Sequence, residues 1–438
     1  MFCLTRRNGH VTMWSAMNRT TVNRCPPWRI ALIAPFGLRA KGTTRARILS
    51  LARQLAQIGH TVAVFIPPYD SPQDAGLIWN DSGVEVVNMA LPSGGVVRPS
   101  GHLILARRLY CAVRAWRPDL VHAFKPKGPS GLAAMFLWLA ADRCPVAIDS
   151  DDWEGPGGWN DDPRTGYSAA QRLFFAWQER FGLAHADAWT VTSACLRQRA
   201  IAFGAAPERV WVLHNGISSP EIFAADPVRP AVGDHVQAAA AGIGQPSAIL
   251  YTRFAGVRPD EVAAIWAAVR RSQPDARLTV VGQGVAHEER RLLAAPGITV
   301  AGWTEPEQLP QVLASGQVAL VPWDDKPTNR ARHSAKVLEL MAAGLPIVAY
   351  AVGELPVTLG DAGVLVPAGD RVAFAREVTA LLADAERRAQ LGARARARVA
   401  AHFTWPRLIH IALEAYARAM AARQPGAGSI GSTNPETL

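Results

Sequence analysis

The spacing of apolar and polar residues near the start of the chain predicts a strand, a helix and a second strand. Residues 28–35 (WRIALIAP) and 61–67 (TVAVFIP) are short apolar runs, and residues 46–60 (ARILSLARQLAQIGH) place apolar side chains three and four positions apart. Short apolar runs favour buried strands, whereas the spacing between them is typical of an amphipathic helix. This order predicts a βαβ unit with two parallel strands.

The same alternation continues to residue 216 and indicates a complete α/β domain. Helical patterns separate most of the further apolar runs, and strands that alternate with helices form a parallel, doubly wound sheet. We therefore assign residues 29–216 to a Rossmann-like domain. Its further strands are predicted at residues 84–89, 119–124, 146–151, 188–193 and 210–215.

A second α/β series follows a segment without periodicity. Residues 217–246 contain four prolines and an alanine run, which indicate an interdomain linker. We assign residues 247–403 to a second Rossmann-like domain and residues 404–423 to a C-terminal amphipathic helix, and interpret residues 1–28 and 424–438 as disordered ends. Two such domains place the carboxyl ends of both sheets around one cleft, where ligands of open α/β sheets bind. The strands of the second domain are predicted at residues 247–254, 277–284, 298–303 and 317–323, and in the apolar run that begins two residues after Gly344.

Composition narrows the class of protein and its partners. The chain has 438 residues, of which 49% are hydrophobic and 19% are charged, so it is globular rather than disordered. Its net charge is +10, and residues 29–130 hold 13 lysines and arginines against 5 acids. This excess suggests an anionic partner, with a solvated arginine-rich surface as the alternative. No recognised nucleic-acid-binding module accompanies the charge, so we expect no nucleic-acid partner.

The cysteines and the longest apolar runs bear on the compartment. Five scattered cysteines without a CxxC pair favour reduced thiols in the cytosol and argue against a zinc site. No run of 18 apolar residues exists, and residues 1–28 lack the apolar core of a signal peptide. We therefore expect a cytoplasmic chain.

A lysine and a glutamate lie one helical turn apart in the second domain. In SAKVLELMAAG (residues 334–344), Lys336 and Glu339 share a helix face, and Gly344 ends the helix. The helix N-terminus favours an anion, a lysine can bind a phosphate or a sugar hydroxyl, and a carboxylate can accept both hydroxyls of a ribose. The alternative is a surface ion pair of the common i,i+3 type, which spacing alone favours.

A lysine pair follows a predicted strand of the first domain. In FKPKGPSG (residues 124–131), Lys125 and Lys127 precede a helix start with free backbone amides. Such a loop is a good anion site, for a donor phosphate or for a phosphate on a lipid-linked acceptor. Solvated lysines at an exposed loop are the alternative.

An acidic turn follows the next strand. In IDSDDWEGPGGW (residues 148–159), Asp149, Asp151 and Asp152 stand at a strand end. Carboxylates at this spacing can hold Mg²⁺ or Mn²⁺, or bind acceptor hydroxyls, and Trp153 can stack on a sugar face. The alternative is an Asp-rich turn with its tryptophan packed into the core.

Six segments, taken in order, resemble the motif blocks of GT-B glycosyltransferases of family 4. The resemblance extends over residues 28–403 and implies an α/β GT-B fold, in which two Rossmann-like domains with parallel sheets face a central cleft. The last segment matches E-x-MA-x-G-x-P-V-h-A and is the most specific, whereas each Gly-rich loop alone is a weak signal. The segments are RIALIAPFGLRAKGTTRARILSLARQLAQIGHTVAVF, PDLVHAF, VWVLHNGIS, LYTRFAGVRP, LTVVGQG and LELMAAGLPIVAY.

The resemblance implies roles for individual residues, and the chain departs from the family pattern at two of them. Arg258 stands where a lysine is usual, and the first glutamate of the family's E-x7-E motif falls at Ala331, which leaves the transferred sugar open. The implied catalytic residues are His122, Arg253, Arg258 and Lys336. The implied donor-binding residues are Gly42, Asn215, Gly282, Gly284, Ser334 and Glu339. The expected acceptor-binding residues are Lys41, Lys125, Lys127, Asp151, Asp152 and Trp153.

The function that the resemblance implies is retaining transfer of a sugar from a nucleotide-diphosphate sugar to an acceptor hydroxyl. The acceptor would be a glycan, a lipid-linked intermediate or a small molecule, in cell-envelope or glycoconjugate synthesis. Arginines would stabilise the diphosphate, so no metal or other cofactor is expected. The basic first domain adds the option of peripheral contact with an anionic membrane, at its inner face.

Three alternatives remain open at this point. A metal-dependent GT-A enzyme would use the acidic turn, but such enzymes usually have one Rossmann-like domain. A nucleotide-sugar epimerase or phosphorylase would share the fold. A non-catalytic sugar-nucleotide binding protein would explain the missing glutamate at Ala331.

Overall fold

The first domain is built on an eight-stranded sheet with the order β3-β4-β2-β1-β5-β6-β7-β8. The structure is a computed structural model that describes residues 27–39, 42–93, 99–223 and 245–422. Residues 1–26 and 424–438 of the expected disordered ends, most of the 217–246 linker and Lys41 lie outside these ranges. Trp28, which the prediction placed in the N-terminal extension, stacks on His60 at 5.2 Å. The strands are β1 (Arg29–Ile33), β2 (Thr61–Ile66), β3 (Ile78–Asp81), β4 (Val84–Asn88), β5 (Leu120–Phe124), β6 (Val146–Ser150), β7 (Ala188–Val191) and β8 (Val210–Val212).

All strand pairs of this sheet are parallel except β3 with β4. The sequence prediction missed β3, which forms a hairpin with β4 through the two-residue loop Ser82–Gly83. Both loop residues have positive φ, 55° and 89°. This geometry matches the right-handed twist of the two strands, and Gly adopts it without strain.

Helices cover both faces of the first sheet. A π-helical segment, Thr44–Leu49, leads directly into the first α-helix. The π-helix has a wider hydrogen-bond repeat than the α-helix and often marks a functional position. The α-helices are α1 (Ser50–Gln57), α2 (Pro99–Trp116), α3 (Gly128–Leu139), α4 (Ala169–His185) and α5 (Ala194–Ala202).

The second domain has a six-stranded, fully parallel sheet with the order β11-β10-β9-β12-β13-β14. Its strands are β9 (Ser247–Tyr251), β10 (Arg277–Val281), β11 (Ile298–Gly302), β12 (Val318–Val321), β13 (Ile347–Tyr350) and β14 (Gly363–Val366). Its helices are α6 (Pro259–Ser272), α7 (Leu309–Ala314), α8 (Pro327–Ala331), α9 (Ala335–Ala342), α10 (Leu355–Leu359), α11 (Arg371–Ala383) and α12 (Ala385–His402).

The last helix, α13 (Trp405–Ala421), returns to the first domain. Its apolar residues recur at helical spacing, and Trp405 and Tyr416 are fully buried in a core shared with Ile30 and Leu32 of β1. Thr404 pairs with Ile217 where the chain crosses between the domains. The α/β fold with two mainly parallel sheets is confirmed, and the carboxyl ends of its central strands carry the candidate site.

Candidate active site

Helix α9 and strand β9 bring together the candidate donor residues of the second domain. Ser334 is the N-cap of α9, and Gly344, with φ of 74°, follows its end. The Lys336 Nζ atom lies 4.2 Å from the centroid of the Tyr251 ring, and the Tyr251 hydroxyl hydrogen-bonds Glu339. Lys336 and Glu339 form no salt bridge with each other and are largely buried, so they are not the surface ion pair that spacing alone favoured.

Positive charge accumulates around this pair. Burial lowers the pKa of Lys336; Glu339 opposes this shift, and Arg253 and Arg332 add to it. Among the residues that the structure describes, neither Arg253 nor Arg332 forms a salt bridge. Cations that lower one another's pKa are stabilised when an anion binds between them.

Glu339 is the acidic member of the group. Burial raises its pKa, against the effects of Lys336 and the Tyr251 hydrogen bond. Its Oε2 atom is buried and has no hydrogen-bond partner in the described structure. A buried unpaired carboxylate oxygen is costly, and ligand hydroxyls would satisfy it.

The sequence prediction missed Arg332. Its guanidinium lies 3.9 Å from the Trp323 ring centroid, and its Nε atom is buried without a hydrogen-bond partner. Burial lowers the Arg332 pKa to about 10. The available signal was its place directly after Ala331, where the family's first sugar-binding glutamate is absent.

Arg258 has different neighbours. Its exposed guanidinium pairs with Asp324 at 3.1 Å and with Glu261 at 3.2 Å. These contacts occupy it with carboxylates, whereas Arg253 lies beside Lys336 and Tyr251. The structure therefore does not join the two arginines into the single diphosphate grip that the sequence suggested.

Local packing and hydrogen bonding explain the two glycines that follow β10. A side chain at Gly282, where φ is 106°, would lie 2.2 Å from the Thr252 carbonyl oxygen, so glycine lets the ends of β9 and β10 approach. The Gly284 amide donates to Glu289 at 2.9 Å. The amide of Gly284, a residue that the resemblance implied in donor binding, is thus occupied by a carboxylate of the protein itself.

The lysines of the first domain are paired with the acidic turn, which corrects the prediction of an open anion site. Lys125 lies 3.1 Å from Asp151, contacts Asp152 more closely still, and lies 3.6 Å from Glu154. Lys127 pairs with Glu154 at 3.0 Å. Burial alone would lower the Lys125 pKa, but the three carboxylates together raise it well above its ordinary value.

The acidic turn contains two carboxyls in different states. Burial raises the pKa of Asp151 to about 7; Lys125 opposes this shift, and Asp152 and Asp149 add to it. Burial acts in the same direction on Asp152, but Lys125 outweighs it, and Arg332 of the second domain lowers the Asp152 pKa further. Arg332, between α8 and α9, thus acts on the acidic turn across the cleft.

Trp153, expected to stack on a sugar, already has a guanidinium against its ring. The Arg199 guanidinium lies 4.1 Å from its ring centroid, and its Nε1 atom donates to the Pro156 carbonyl. Trp153 is partly buried against the core of the first domain. Its contacts support the alternative of a packed tryptophan.

A buried ion pair organises the glycine-loop side of the first domain. Arg47, on the π-helical segment, binds Asp149 through two contacts of 2.9 and 2.6 Å. It also donates to the Leu213 carbonyl at 2.9 Å and to Asn215 Oδ1 at 3.0 Å. Asp149 is thereby engaged by a guanidinium, which argues against its use as a metal ligand.

His122 belongs to the same network and not to the cleft. It is fully buried, and its ring nitrogens contact the Tyr416 hydroxyl at 2.8 Å and the Thr190 hydroxyl at 3.1 Å. Burial lowers its pKa to about 4, so the ring is neutral at physiological pH. The expectation that His122 lies near the reacting sugar does not fit this geometry, because neither ring nitrogen is open to a ligand.

Asn215 joins the two domains. Its backbone amide donates to His333 Nδ1 at 3.2 Å, and its side chain donates to the His333 carbonyl at 2.5 Å. The His214 and His333 rings stack at 4.4 Å. Asn215 therefore links Arg47 to the segment that starts α9, rather than contacting a donor directly.

Gly42 opens the helical segment at residue 42 and has free space around it, since a side chain there would meet no atom within 4 Å. Gly37 is the constrained glycine of this loop. A side chain at Gly37 would lie 2.6 Å from the Asp70 carboxylate, which accepts its amide hydrogen bond.

Comparison with known proteins identifies both halves of the chain. Residues 42–216 match a family model described as a glycosyl transferase 4-like domain, and residues 257–384 match a model described as glycosyl transferases group 1. A D-inositol 3-phosphate glycosyltransferase of Salinispora arenicola is 30% identical over 52% of this chain and 54% of its own length. The sulfoquinovosyl transferase SQD2 of Arabidopsis thaliana is 24% identical over 84% of this chain and 70% of its own. The chain spans about half the length of the first of these relatives.

Solved structures show the same fold. Sucrose-phosphate synthase from Thermosynechococcus elongatus superposes with a TM-score of 0.69 at 21% identity, over 90% of this chain and all of that one. Anabaena HepE in complex with UDP and glucose has a TM-score of 0.65 at 14% identity, over 89% of this chain and 99% of that one. With the ordered motifs, the two parallel sheets and the family matches, the chain belongs to the GT-B glycosyltransferases of the group 1 type.

Proposed function

We propose that the chain is a retaining glycosyltransferase that moves a sugar from a nucleotide-diphosphate sugar to an acceptor hydroxyl. The observation that carries the proposal is the group of Arg253, Arg332 and Lys336, which lack salt-bridge partners among the described residues. Both arginines act on Lys336, and Lys336 in turn acts on Glu339. The group has a net positive charge beside a carboxylate with an unsatisfied oxygen. A nucleotide diphosphate with a ribose diol has the complementary charge and hydroxyls.

Glu339, Arg253 and Lys336 have parts in the proposed reaction. Glu339 accepts the ribose hydroxyls, and Arg253 and Lys336 bind the diphosphate. As the bond to the sugar breaks, negative charge grows on the leaving phosphate, and fixed cations in a partly buried site stabilise it. The sugar passes through an oxocarbenium-like state.

The family resemblance further implies front-face attack, in which the leaving phosphate helps to take the acceptor proton. The guanidinium and ammonium groups would then replace a metal ion. The proposal therefore expects activity to survive EDTA.

The acceptor side is proposed to lie at the acidic turn of the first domain. Asp151 is proposed to contact an acceptor hydroxyl, with its carboxyl held in place at the end of β6 by Lys125, whose Nζ atom lies 3.1 Å from Asp151 Oδ1. The matched relatives named D-inositol 3-phosphate glycosyltransferase act on a phosphorylated polyol by their name. For this chain we propose a lipid-linked or envelope glycan acceptor, reached from the cytoplasmic side of the membrane. No helix among the described residues is long and apolar enough to cross a membrane.

The absent glutamate favours one second candidate, a protein that binds the donor without transferring sugar. Ala331 is fully buried and packs with the core of the first domain, so no carboxylate at this position can hold the transferred sugar. Arg332 and Ser334, which lie between Ala331 and the start of α9, are proposed to take over that contact.

A two-stage assay separates these functions. Thermal shift with a panel of UDP-, ADP-, GDP- and dTDP-sugars identifies the donor, since a bound ligand raises Tm. Release of nucleotide is then measured with and without acceptors, and the anomeric configuration of the product is read by NMR. Retained configuration with acceptor-dependent release supports the proposal. Conversion of the nucleotide sugar without an acceptor and without nucleotide release indicates an epimerase, and dependence on inorganic phosphate indicates a phosphorylase. Binding without turnover on any acceptor indicates the non-catalytic protein.

A further inference from the structure

One outer face of the first domain exposes large apolar side chains that the proposed reaction does not use. Leu173 and Trp177 of α4 are 75% and 45% exposed, Phe174 is 39% exposed, and Leu139 at the end of α3 is 62% exposed. Single exposed apolar residues are ordinary, but a contiguous group of them usually marks an interaction surface.

The apolar residues form a continuous row. The rings of Phe174 and Trp177 stack at 5.9 Å, Trp177 and Phe181 lie 5.5 Å apart, and Phe181 contacts Trp138 of α3 at 5.7 Å. The spacing of these positions on α4 places them on one side of the helix. We name this row, together with Leu139 and Leu173, the aromatic face.

The charge of the surrounding layer is strongly positive. Helices α2 and α4 contain five arginines, Arg107, Arg108, Arg114, Arg172 and Arg180, and one acid, Glu179. Glu179 is buried and paired with Arg199 at 2.8 Å, and the neighbouring Asp142 is paired with Arg114 at 2.6 Å. Both acids are therefore already paired with other arginines. Helices α2 and α4 contain no further acid that could neutralise Arg107, Arg108, Arg172 or Arg180.

An apolar face surrounded by arginines fits an anionic lipid surface better than a second copy of the chain. In a two-fold dimer formed through this face, the arginines of one copy would meet those of the other. Tryptophan and phenylalanine flanked by arginines are typical of helices that lie in the interface of an anionic bilayer.

The aromatic face reaches the proposed acceptor side. Phe174 lies 6.1 Å from Phe175, whose ring lies 5.0 Å from Lys127 Nζ. Phe175 lines a small cavity together with Lys125, Asp152 and Glu154. An acceptor held in the membrane would thus meet the cleft beside the surface that holds the protein.

We propose that the aromatic face of α3 and α4 docks the protein on an anionic phospholipid bilayer, with Leu173 and Trp177 entering the interface and the arginines of α2 and α4 binding the headgroups. The docking itself does not depend on the transfer reaction. Its benefit for a lipid-linked acceptor rests on the proposed function.

Vesicle flotation with the full chain tests the docking. We expect the protein to float with mixed phosphatidylcholine–phosphatidylglycerol vesicles at low salt and not with phosphatidylcholine alone. Leu173→Ser/Trp177→Ser should lower the partition coefficient by about tenfold or more, since each removes apolar side-chain area from the interface. Arg172→Gln/Arg180→Gln should weaken binding and reduce its dependence on salt.

A matched control lies in the second domain. Val372 is 79% exposed on α11, so Val372→Ser removes an equally exposed apolar side chain from a different surface and should leave flotation unchanged. The Tm of each variant shows that it is folded. Absence of wild-type binding to anionic vesicles, or equal binding by wild type and the Leu173/Trp177 variant, overturns the proposal.

Two further measurements separate other outcomes. If sedimentation shows a wild-type dimer that the Leu173/Trp177 variant dissociates, the face is a protein interface and the membrane proposal is wrong. Transfer to a short water-soluble acceptor should be unchanged in that variant, so loss of docking and loss of catalysis are distinguishable.

Discussion

The residues at the cleft show how local environment decides between a surface ion pair and a ligand site. The i,i+3 spacing of Lys336 and Glu339 is common to both. In the structure, both side chains contact Tyr251 instead of each other. The Lys336 ammonium lies over the Tyr251 ring, and the Tyr251 hydroxyl donates a hydrogen bond to Glu339. This arrangement leaves the ammonium and the carboxylate unpaired with each other, which suits a ligand that carries both phosphates and hydroxyls.

Removal of the Lys336 charge should impair use of the donor. Lys336→Ala is expected to raise the donor KM or lower kcat by about tenfold or more, because a hydrogen bond to a charged group contributes ~1.5–3 kcal/mol. Steady-state kinetics with the identified donor measures the effect. Lys326→Ala is the control, since this exposed lysine pairs with Asp324 at 3.1 Å on the protein itself. Normal kinetics in Lys336→Ala would remove this residue from the site.

The raised pKa of Asp151 predicts a pH-dependent contribution to stability. Burial raises this pKa to about 7, whereas an aspartate in the unfolded chain titrates near ~3.9. Between these values the native state binds a proton that the unfolded state has lost, so the Asp151 contribution to stability falls as pH rises from about 4 to 7 and is then constant.

Asp151→Asn should remove that slope. The Tm of wild type relative to the variant is therefore expected to be lower at about pH 8 than at about pH 5, as followed by thermal unfolding. Asp142→Asn is a matched control, because Arg114 lowers the Asp142 pKa and places its titration below this range. Parallel pH profiles for wild type and Asp151→Asn would contradict the raised pKa.

At the scale of secondary-structure elements, the sequence predicted most strands and missed the contacts that join them. The apolar runs of β1, β2, β5 and β6 are continuous because helices cover both faces of the sheet, and such runs are readable from periodicity. The pairing of Lys125 with the acidic turn was not readable, because the two loops are separated in sequence and meet only through the register of β5 with β6. The same register places Asp149 within reach of Arg47, and His122 beneath α13.

Arg47 on the π-helical segment should be the most costly arginine to remove from this region. It is 2% exposed and paired with a fully buried Asp149. Arg47→Ala leaves that carboxylate buried and unpaired, a change that typically costs ~3–5 kcal/mol of stability. Chemical denaturation measures the difference.

Arg53→Ala is the control for this change. Arg53 is on α1, and its pair with Asp81 is partly exposed, at 36% and 19%. Such pairs contribute only ~0–1 kcal/mol. Equal destabilisation by the two variants would show that the buried network does not carry the stability of this region.

At the scale of the whole molecule, two polar connections set the relation between the lobes. Asn215 ties the end of the first domain to His333, just before α9, and Glu354 accepts the Ala194 amide of α5 at 2.8 Å. The sequence predicted two lobes and a shared cleft from strand order alone. It did not predict these cross-lobe contacts, because hydrogen bonds between remote segments leave no periodic pattern in the chain.

The third connection is an ion pair between Arg164 of the first lobe and Glu288 of the second, at 2.7 Å. Glu288 lies beside Gly284, next to the cleft, so this pair favours a closed arrangement of the lobes. Because partly exposed pairs contribute at most ~1 kcal/mol, Arg164→Ala should shift the population toward open forms by about fivefold or less.

Small-angle scattering measures this shift. Without ligand, Arg164→Ala should have a larger radius of gyration than the wild type, and the radius should return toward the wild-type value when the donor is added. The exchanged variant Arg164→Glu/Glu288→Arg keeps the charges opposite and should restore the wild-type radius, whereas Arg164→Glu alone should open the lobes most. A radius of gyration that is the same in all four proteins would show that this pair does not hold the lobes together.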